Sequence, residues 1–226
     1  MPDDVKSGGD KRSYSSPRRL EQAAATRREI LAAARELFVA DGYVSTTVAA
    51  IAARARVSVD TVYAAVGRKP ALLRELVETA ISGTGTPIPG AQRDYVSRMH
   101  DAASAREALA LYAAAITGIQ QRLAPVFLAL RGAAATDPTC AALWAEIAER
   151  RARNMRALVA DLRRLGDLRD DLTDDRIADI IWSMNSAEYW DLLVRERSWT
   201  PAEFETHLAD AWIRLLVRSP DAQPLP

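Results

Sequence analysis

The chain has one cysteine and two histidines in 226 residues. A single thiol, Cys140, closes no internal disulfide, and so few soft ligands leave little for a structural zinc site; a reducing cytoplasm is the expected setting. Long apolar runs are missing as well. The longest charge-free apolar stretch, Ala108 to Ile119, falls short of the ~18 to 20 residues that span a bilayer. The opening Met1-Pro2-Asp3-Asp4-Val5-Lys6 has no apolar signal-peptide core, so neither secretion nor membrane insertion is expected. No GxSxG, HExxH, GxxxxGK[ST] or GxGxxG pattern occurs, His100 and His207 lie far apart, and Cys140 has no base beside it. The acids Asp170, Asp171, Asp174 and Asp175 lack EF-hand spacing and sit at a loop entering a helix, where acids complement the helix end. These absences argue against an enzyme, a metal centre and a bound cofactor.

What is present fits a soluble globular chain, 49% hydrophobic and 27% charged, with length for one large or two modest domains. The formal net charge is zero, but it is unevenly spread. From Lys11 to Glu75 there are twelve basic and six acidic residues, a local excess of +6, and the remainder carries the balancing −6. Such asymmetry predicts a basic working end on a near-neutral or acidic body.

Periodicity predicts helices throughout. Residues 1–22 have no apolar period and are expected to be a flexible tail. Thr26 to Glu29 forms a capping box, followed by Ile30, Leu31, Ala34, Leu37 and Phe38 on one helical stripe that ends at Asp41-Gly42. Thr46 or Thr47 can cap a second helix with Val48, Ile51, Ala52 and Ala55 inward. Ser58 can cap a third, Val59 to Val66, with Val62 and Val66 inward. Pro70 opens a fourth helix, lined by Leu72, Leu73, Leu76, Val77, Ala80 and Ile81, before glycines and prolines over 83–90 break the chain. The expected division is thus a helix-turn-helix domain over 23–68, a linking helix over 69–82, a helical domain over 91–218 and a tail over 219–226. In the helical domain, Ser104 opens a helix to about Leu123, Pro125 restarts a shorter one, Asp137-Pro138 opens a long run to Leu165, Thr173 caps Asp174 to Val194, and Thr200 caps Pro201 to Val217.

Three short helices, a tight connection and excess positive charge describe a helix-turn-helix unit, whose helix after the turn offers side chains to base edges in the major groove. A small three-helix domain with solvated arginines has the same spacing. The residues themselves resemble the N-terminal domain of the TetR family of bacterial transcriptional repressors: Ile30-Leu31-Ala32-Ala33-Ala34, Leu37-Phe38, Asp41-Gly42-Tyr43, Thr46-Thr47-Val48, Ile51-Ala52, Ala55, Val57-Ser58, Thr61-Val62-Tyr63, Lys69 and Leu72-Leu73. The ending, Leu192 to Arg197, Trp199-Thr200-Pro201 and Leu208-Ala209-Asp210, is similar to C-terminal text of actinobacterial members.

The resemblance implies an all-α homodimer that binds double-stranded operator DNA at a short palindrome and releases it when a small-molecule effector enters the C-terminal domain. Thr46 then matches a helix-capping position that meets phosphate, or is a cap and nothing more; Tyr63 and Lys69 match an aromatic and a lysine that touch the DNA backbone. Arg56 stands where a glycine is common in the turn, with a further phosphate contact as the compensating gain, and Arg68 adds to the basic face. Ala65 and Val66 replace a histidine and a phenylalanine of the same signature. Ser58, Val59, Asp60 and Thr61 are the candidates for base readout; Asp60 can accept from a cytosine amino group or merely complement the helix dipole.

All five tryptophans lie between Trp144 and Trp212, outside the helix-turn-helix. Tyr112, Phe127, Trp144, Met155, Trp182, Asn185 and Tyr189 are candidates for an apolar effector cavity, with Asn185, Glu188 or Gln120 orienting a polar group. The last two helices carry so much apolar surface that a partner subunit is expected at Ile177, Ile181, Phe204, Leu208, Trp212 and Leu216. The competing reading is a helical ligand carrier or enzyme that has kept a degenerate helix-turn-helix.

Overall fold

A computed structural model describes residues 17–84, 88–89 and 92–218; the tails expected over 1–16 and 219–226 lie outside those residues. Among the described residues the chain is all-α, with eleven α-helices and no strand beyond an isolated Leu168–Val217 bridge. Helices α1 (Pro17–Ala40), α2 (Gly42–Ser45), α3 (Val48–Arg54) and α4 (Val59–Ala65) form the N-terminal unit, and α5 (Lys69–Ser82) leads out of it. The body comprises α6 (Asp94–His100), α7 (Ala105–Ala134), α8 (Pro138–Arg164), α9 (Asp174–Met184), α10 (Ala187–Trp190) and α11 (Pro201–Leu216), with a π-helical segment, Asp191–Glu196, between the last two.

Capping chemistry fixes most of the starts. Asp137 accepts from the amides of Thr139 (2.8 Å) and Cys140 (3.2 Å) ahead of Pro138. Thr200 and Glu203 complete both arms of a capping box, and Thr173 accepts from Arg176. Three expectations need correction. The helix expected from Thr26 begins at Pro17, so residues 17–22 are helix and not tail; Leu20, Gln22 and the alanines at 23–25 are good helix formers, and Thr26 lies mid-helix. Pro125 does not restart a helix but lies inside α7. It removes one backbone hydrogen bond and loosens the turn before it. There, Arg35 of α1 donates to the Arg122 carbonyl (2.8 Å). The single helix expected from Asp174 to Val194 instead breaks at Asn185, and Ser186 caps the restart by accepting from Tyr189.

The body is organised around α7, which at 30 residues is about 45 Å long. Among the described residues it is the one helix long and apolar enough to cross a bilayer by length and composition. Fifteen of its residues are instead buried against α5, α6, α8, α10 and α11. The N-terminal unit has its own core of Ile30, Ala34, Phe38, Ile51 and Val62, and Leu72, Leu73 and Val77 of α5 join it to the body without a gap. Two polar ties then fasten α5 to α8: Arg74 pairs with both oxygens of Glu146 (2.9 and 2.8 Å), and Arg150 with Glu78 (2.7 Å). The acids at 170–175 are also accounted for: Asp170 and Asp174 meet Arg163, Asp170 also meets Arg218, Asp171 meets Arg169, and Asp175 meets Arg156.

The six residues expected at a dimer interface lie elsewhere. Ile177, Ile181, Phe204, Leu208, Trp212 and Leu216 are all fully buried within one protomer. The wide stripe of α11 packs on α7, and the stripe of α9 packs on α8. A 30-residue central helix offers more apolar surface than the sequence reading allowed for, and it consumes these stripes internally.

Candidate nucleic-acid interface and effector site

The turn between α3 and α4 is built from a helix stop and a helix start. Arg56 has φ +57°. Its amide donates to the Ala53 carbonyl (3.2 Å), and the Val57 amide to the Ala52 carbonyl (3.0 Å). This pair of bonds is a Schellman stop, a motif that favours glycine at the position Arg56 fills. The left-handed turn is therefore kept despite the missing glycine. An L-residue in that conformation costs about 1–2 kcal/mol, and glycine returns about 0.5–1 kcal/mol of that as unfolded-chain entropy. Arg56→Gly is expected to raise stability by about 0.5–1 kcal/mol while weakening DNA binding; equilibrium unfolding and a DNA titration on the same sample check both signs.

Ser58 starts α4: its Oγ accepts from the Thr61 amide (3.1 Å) and shares a hydrogen bond with the Thr61 hydroxyl (2.8 Å). Val62 is buried beneath, which leaves Val59, Asp60, Tyr63 and Ala64 on one exposed arc. Val59 (36% exposed) and Tyr63 (47%) are the large apolar groups of that arc. Arg56 lies exposed at one end and Arg68 at the other. Arg27, Arg54 and Arg74 are neutralised by Glu75, Glu36 and Glu146. Among the described residues Arg18, Arg19, Arg28, Arg56 and Arg68 make no ion pair, so the excess positive charge remains concentrated on this unit.

Two expected phosphate contacts face inward. Thr46 is 3% exposed and donates its hydroxyl to the carbonyls of Gly42 (2.8 Å) and Leu37 (3.2 Å). The cap of α3 is its neighbour Thr47, which accepts from Ala50 (3.0 Å). Lys69 donates to the Tyr43 carbonyl (2.6 Å), with its ammonium 4.2 Å from the centre of the Tyr43 ring. Burial lowers its pKa below the usual lysine value, against the opposing pull of Asp137. Lys69 thus pins the start of α5 onto α2 in place of reaching outward.

The same tyrosine touches the body. Its hydroxyl donates to Asp137 Oδ2 (2.9 Å), the cap of α8, whose first turn carries the buried Cys140. That bond holds the Asp137 carboxyl below the usual aspartate range, and burial pushes the Cys140 thiol up. Neither Tyr43 nor Asp137 carried a functional signal in the sequence, since the contact joins residues 94 apart.

The seven effector candidates fall into three groups. Tyr112, Met155, Trp182 and Asn185 meet: Asn185 Nδ2 donates to Tyr112 Oη (2.9 Å) and lies 3.2 Å from the Met155 sulfur, and Arg151 joins Asn185 Oδ1 (2.6 Å) to the Trp182 carbonyl (3.0 Å). Phe127 and Trp144 stack on each other at 4.5 Å as a separate pair, with Arg131 over the Trp144 ring. Tyr189 bonds His207 (2.7 Å) on the α11 side. The sequence reading missed Arg151, although the signal was present: Leu143, Ile147, Met155 and Leu158 form the buried stripe of α8, and Arg151 occupies the helical step between Ile147 and Met155.

A helix-turn-helix whose second helix is exposed between Arg56 and Arg68, carried on a helical body, defines the class of DNA-binding transcription regulators. Residues 30–76 match the family of bacterial regulatory proteins, tetR family. No curated protein matches it by sequence. Solved structures share the fold. NalD of Pseudomonas aeruginosa, the secondary repressor of the MexAB-OprM multidrug efflux pump, is 20% identical with a TM-score of 0.66, over 87% of this chain and 98% of its own. The fatty acid degradation regulator FadR of Bacillus halodurans is 18% identical at 0.64, over 81% and 94%. A Saccharomonospora viridis protein in complex with choline is 20% identical at 0.65, over 87% and 100%.

Proposed function

We propose that the protein is a cytoplasmic, effector-responsive transcriptional repressor that binds a palindromic operator as a homodimer and releases it when a small molecule enters the body. The observation that carries this reading is the exposed arc of α4 between Arg56 and Arg68, on a unit tied to the body by α5 and by the Tyr43–Asp137 bond. Val59 and Asp60 face the groove, Ser58 and Thr61 set the start of the recognition helix, and Tyr63, Arg56 and Arg68 meet the DNA backbone. Lys69 acts by positioning, through Tyr43. The repressor role of NalD and the choline bound to the Saccharomonospora viridis protein support the same arrangement.

A homodimer is proposed because one seven-residue helix reads only a few base pairs, and paired half-sites supply the rest. With the stripes of α9 and α11 buried, its interface falls on the exposed Leu192 of the π-helical segment and Leu215 of α11. The reading of an enzyme or carrier with a degenerate helix-turn-helix is disfavoured by the exposed, ion-pair-free Arg56 and Arg68, which leave the basic face of the helix-turn-helix open to phosphate.

The Tyr43–Asp137 bond makes the coupling testable. Because Asp137 titrates below the ordinary carboxylate value, its contribution is present above that value and is lost only as acidification protonates it. Tyr43→Phe keeps the ring beneath Lys69 and removes the bond. Effector and operator should each weaken the other by one common factor, typically about 5- to 150-fold, and Tyr43→Phe should reduce that factor by about 2- to 10-fold. Calorimetric titrations of the effector with and without operator measure it; equal affinities in the two would overturn the effector-responsive reading.

A further inference from the structure

The cluster around Tyr112 has too many donors for its acceptors. Arg151 uses Nη2 on the Trp182 carbonyl and Asn185 Oδ1, and lies 5.0 Å from the centre of the Trp182 ring. Its Nε and Nη1 groups meet no acceptor among the described residues. The acid whose charge reaches it, Glu188, is already bound to Arg131 (2.7 Å). The indole N–H groups of Trp182 and Trp212 and the Nε of Arg93 are buried without partners. Trp212 stacks on Tyr112 at 5.4 Å, and the charge of Arg93 also reaches Tyr112. The Tyr112 hydroxyl has only the Met155 sulfur, 3.6 Å away, for its own proton. Against these donors stands one idle acceptor: Gln120, 3% exposed, gives its amide nitrogen to the Asn185 carbonyl (2.5 Å) and leaves Oε1 unpartnered.

Each buried, unpaired polar group costs stability, and an apolar residue in place of Arg151 would pack the α8 stripe better. We propose that this cluster is the effector site and that its ligand is an organic carboxylate with an apolar body. This deepens the effector-responsive reading above and rests on it. A carboxylate accepts from the free edge of the Arg151 fork and from the Tyr112 hydroxyl, the apolar body lies against the Trp182 and Trp212 rings, and a hydroxyl or N–H on the ligand satisfies Gln120 Oε1. The charges of Arg93 and Arg151 reject a cationic ligand. Arg151 and Gln120 also hold the carbonyls at the break between α9 and α10, so a carboxylate competing for Arg151 unclips that break. Binding is thereby linked to the helices against which α7 and α8 pack.

The 226-residue chain titrated with phenylacetate, 4-hydroxyphenylacetate, indole-3-acetate and octanoate, each beside its primary amide, tests this by calorimetry. At least one acid is expected to bind at least tenfold more tightly than its amide. Arg151→Gln should weaken that acid at least tenfold and Tyr112→Phe several-fold, while Arg214→Gln, exposed on α11 and bound to Asp210, leaves it unchanged. Should Arg151→Gln fail to fold by circular dichroism, the comparison of acid with amide and the Tyr112→Phe variant decide alone. Binding by none of the four acids, equal binding of acids and amides, or wild-type affinity in the folded variants would overturn the proposal. An acid that binds as expected but leaves DNA affinity unchanged keeps the site and removes the effector-responsive reading.

Discussion

Replacing Arg56 and Arg68 together by alanine is expected to weaken binding to all DNA sequences alike and to flatten the salt dependence by about three to four units of log–log slope. Both side chains are exposed and make no ion pair. A dimer carries four such charges, and each phosphate neutralised contributes about 0.9 to the slope. Arg54→Ala is the matched control, because that guanidinium is already occupied by Glu36. Anisotropy titrations at several salt concentrations separate the outcomes: an unchanged slope in the double variant would move the phosphate contacts elsewhere. Asp60→Asn addresses the complementary term. If Asp60 accepts from a cytosine, discrimination at one base pair falls by about 1–3 kcal/mol; if it only complements the helix end, the loss appears in stability and not in sequence preference.

Trp212→Ala is expected to destabilise the protomer by about 3–5 kcal/mol, a large share of the ~5–15 kcal/mol that holds a typical domain together. Trp212 is fully buried and stacked on Tyr112, between α11 and α7. Denaturant unfolding should show the same loss at every protein concentration, since the contact is internal to one chain. A variant that dissociates into well-folded monomers with undiminished stability would place Trp212 at a subunit interface after all.

Local chemistry made the helix starts legible. Asp137-Pro138, Thr173 and the Thr200–Glu203 box each announce a helix within a few residues, and each cap forms. The helix-turn-helix was equally readable, because its stop and start depend on neighbours in sequence. What could not be read was partnership across distance. A proline reads as a helix break unless something supports its loosened turn, and here the support comes from Arg35, 87 residues away from Arg122. The stripes of α9 and α11 need cover, but sequence does not say whether the cover is another chain or, as here, α8 and α7. Lys69 carried the right chemistry for phosphate and equally the right chemistry for the Tyr43 carbonyl; only the fold decides between them. Arg151 places a charge within the apolar stripe of α8, and sequence alone does not separate a charge that reaches water from one held against Asn185 and Trp182.

The central claim is that the exposed arc of α4 reads DNA in two symmetric copies. Genome-wide footprinting of the bound protein in its host tests it most directly. The account predicts protection of an inverted repeat whose half-site centres lie one helical turn, about 34–36 Å, or a multiple of it, apart, with protection lost in the Arg56→Ala/Arg68→Ala variant. Protection without dyad symmetry, or no sequence-specific protection at all, would contradict it.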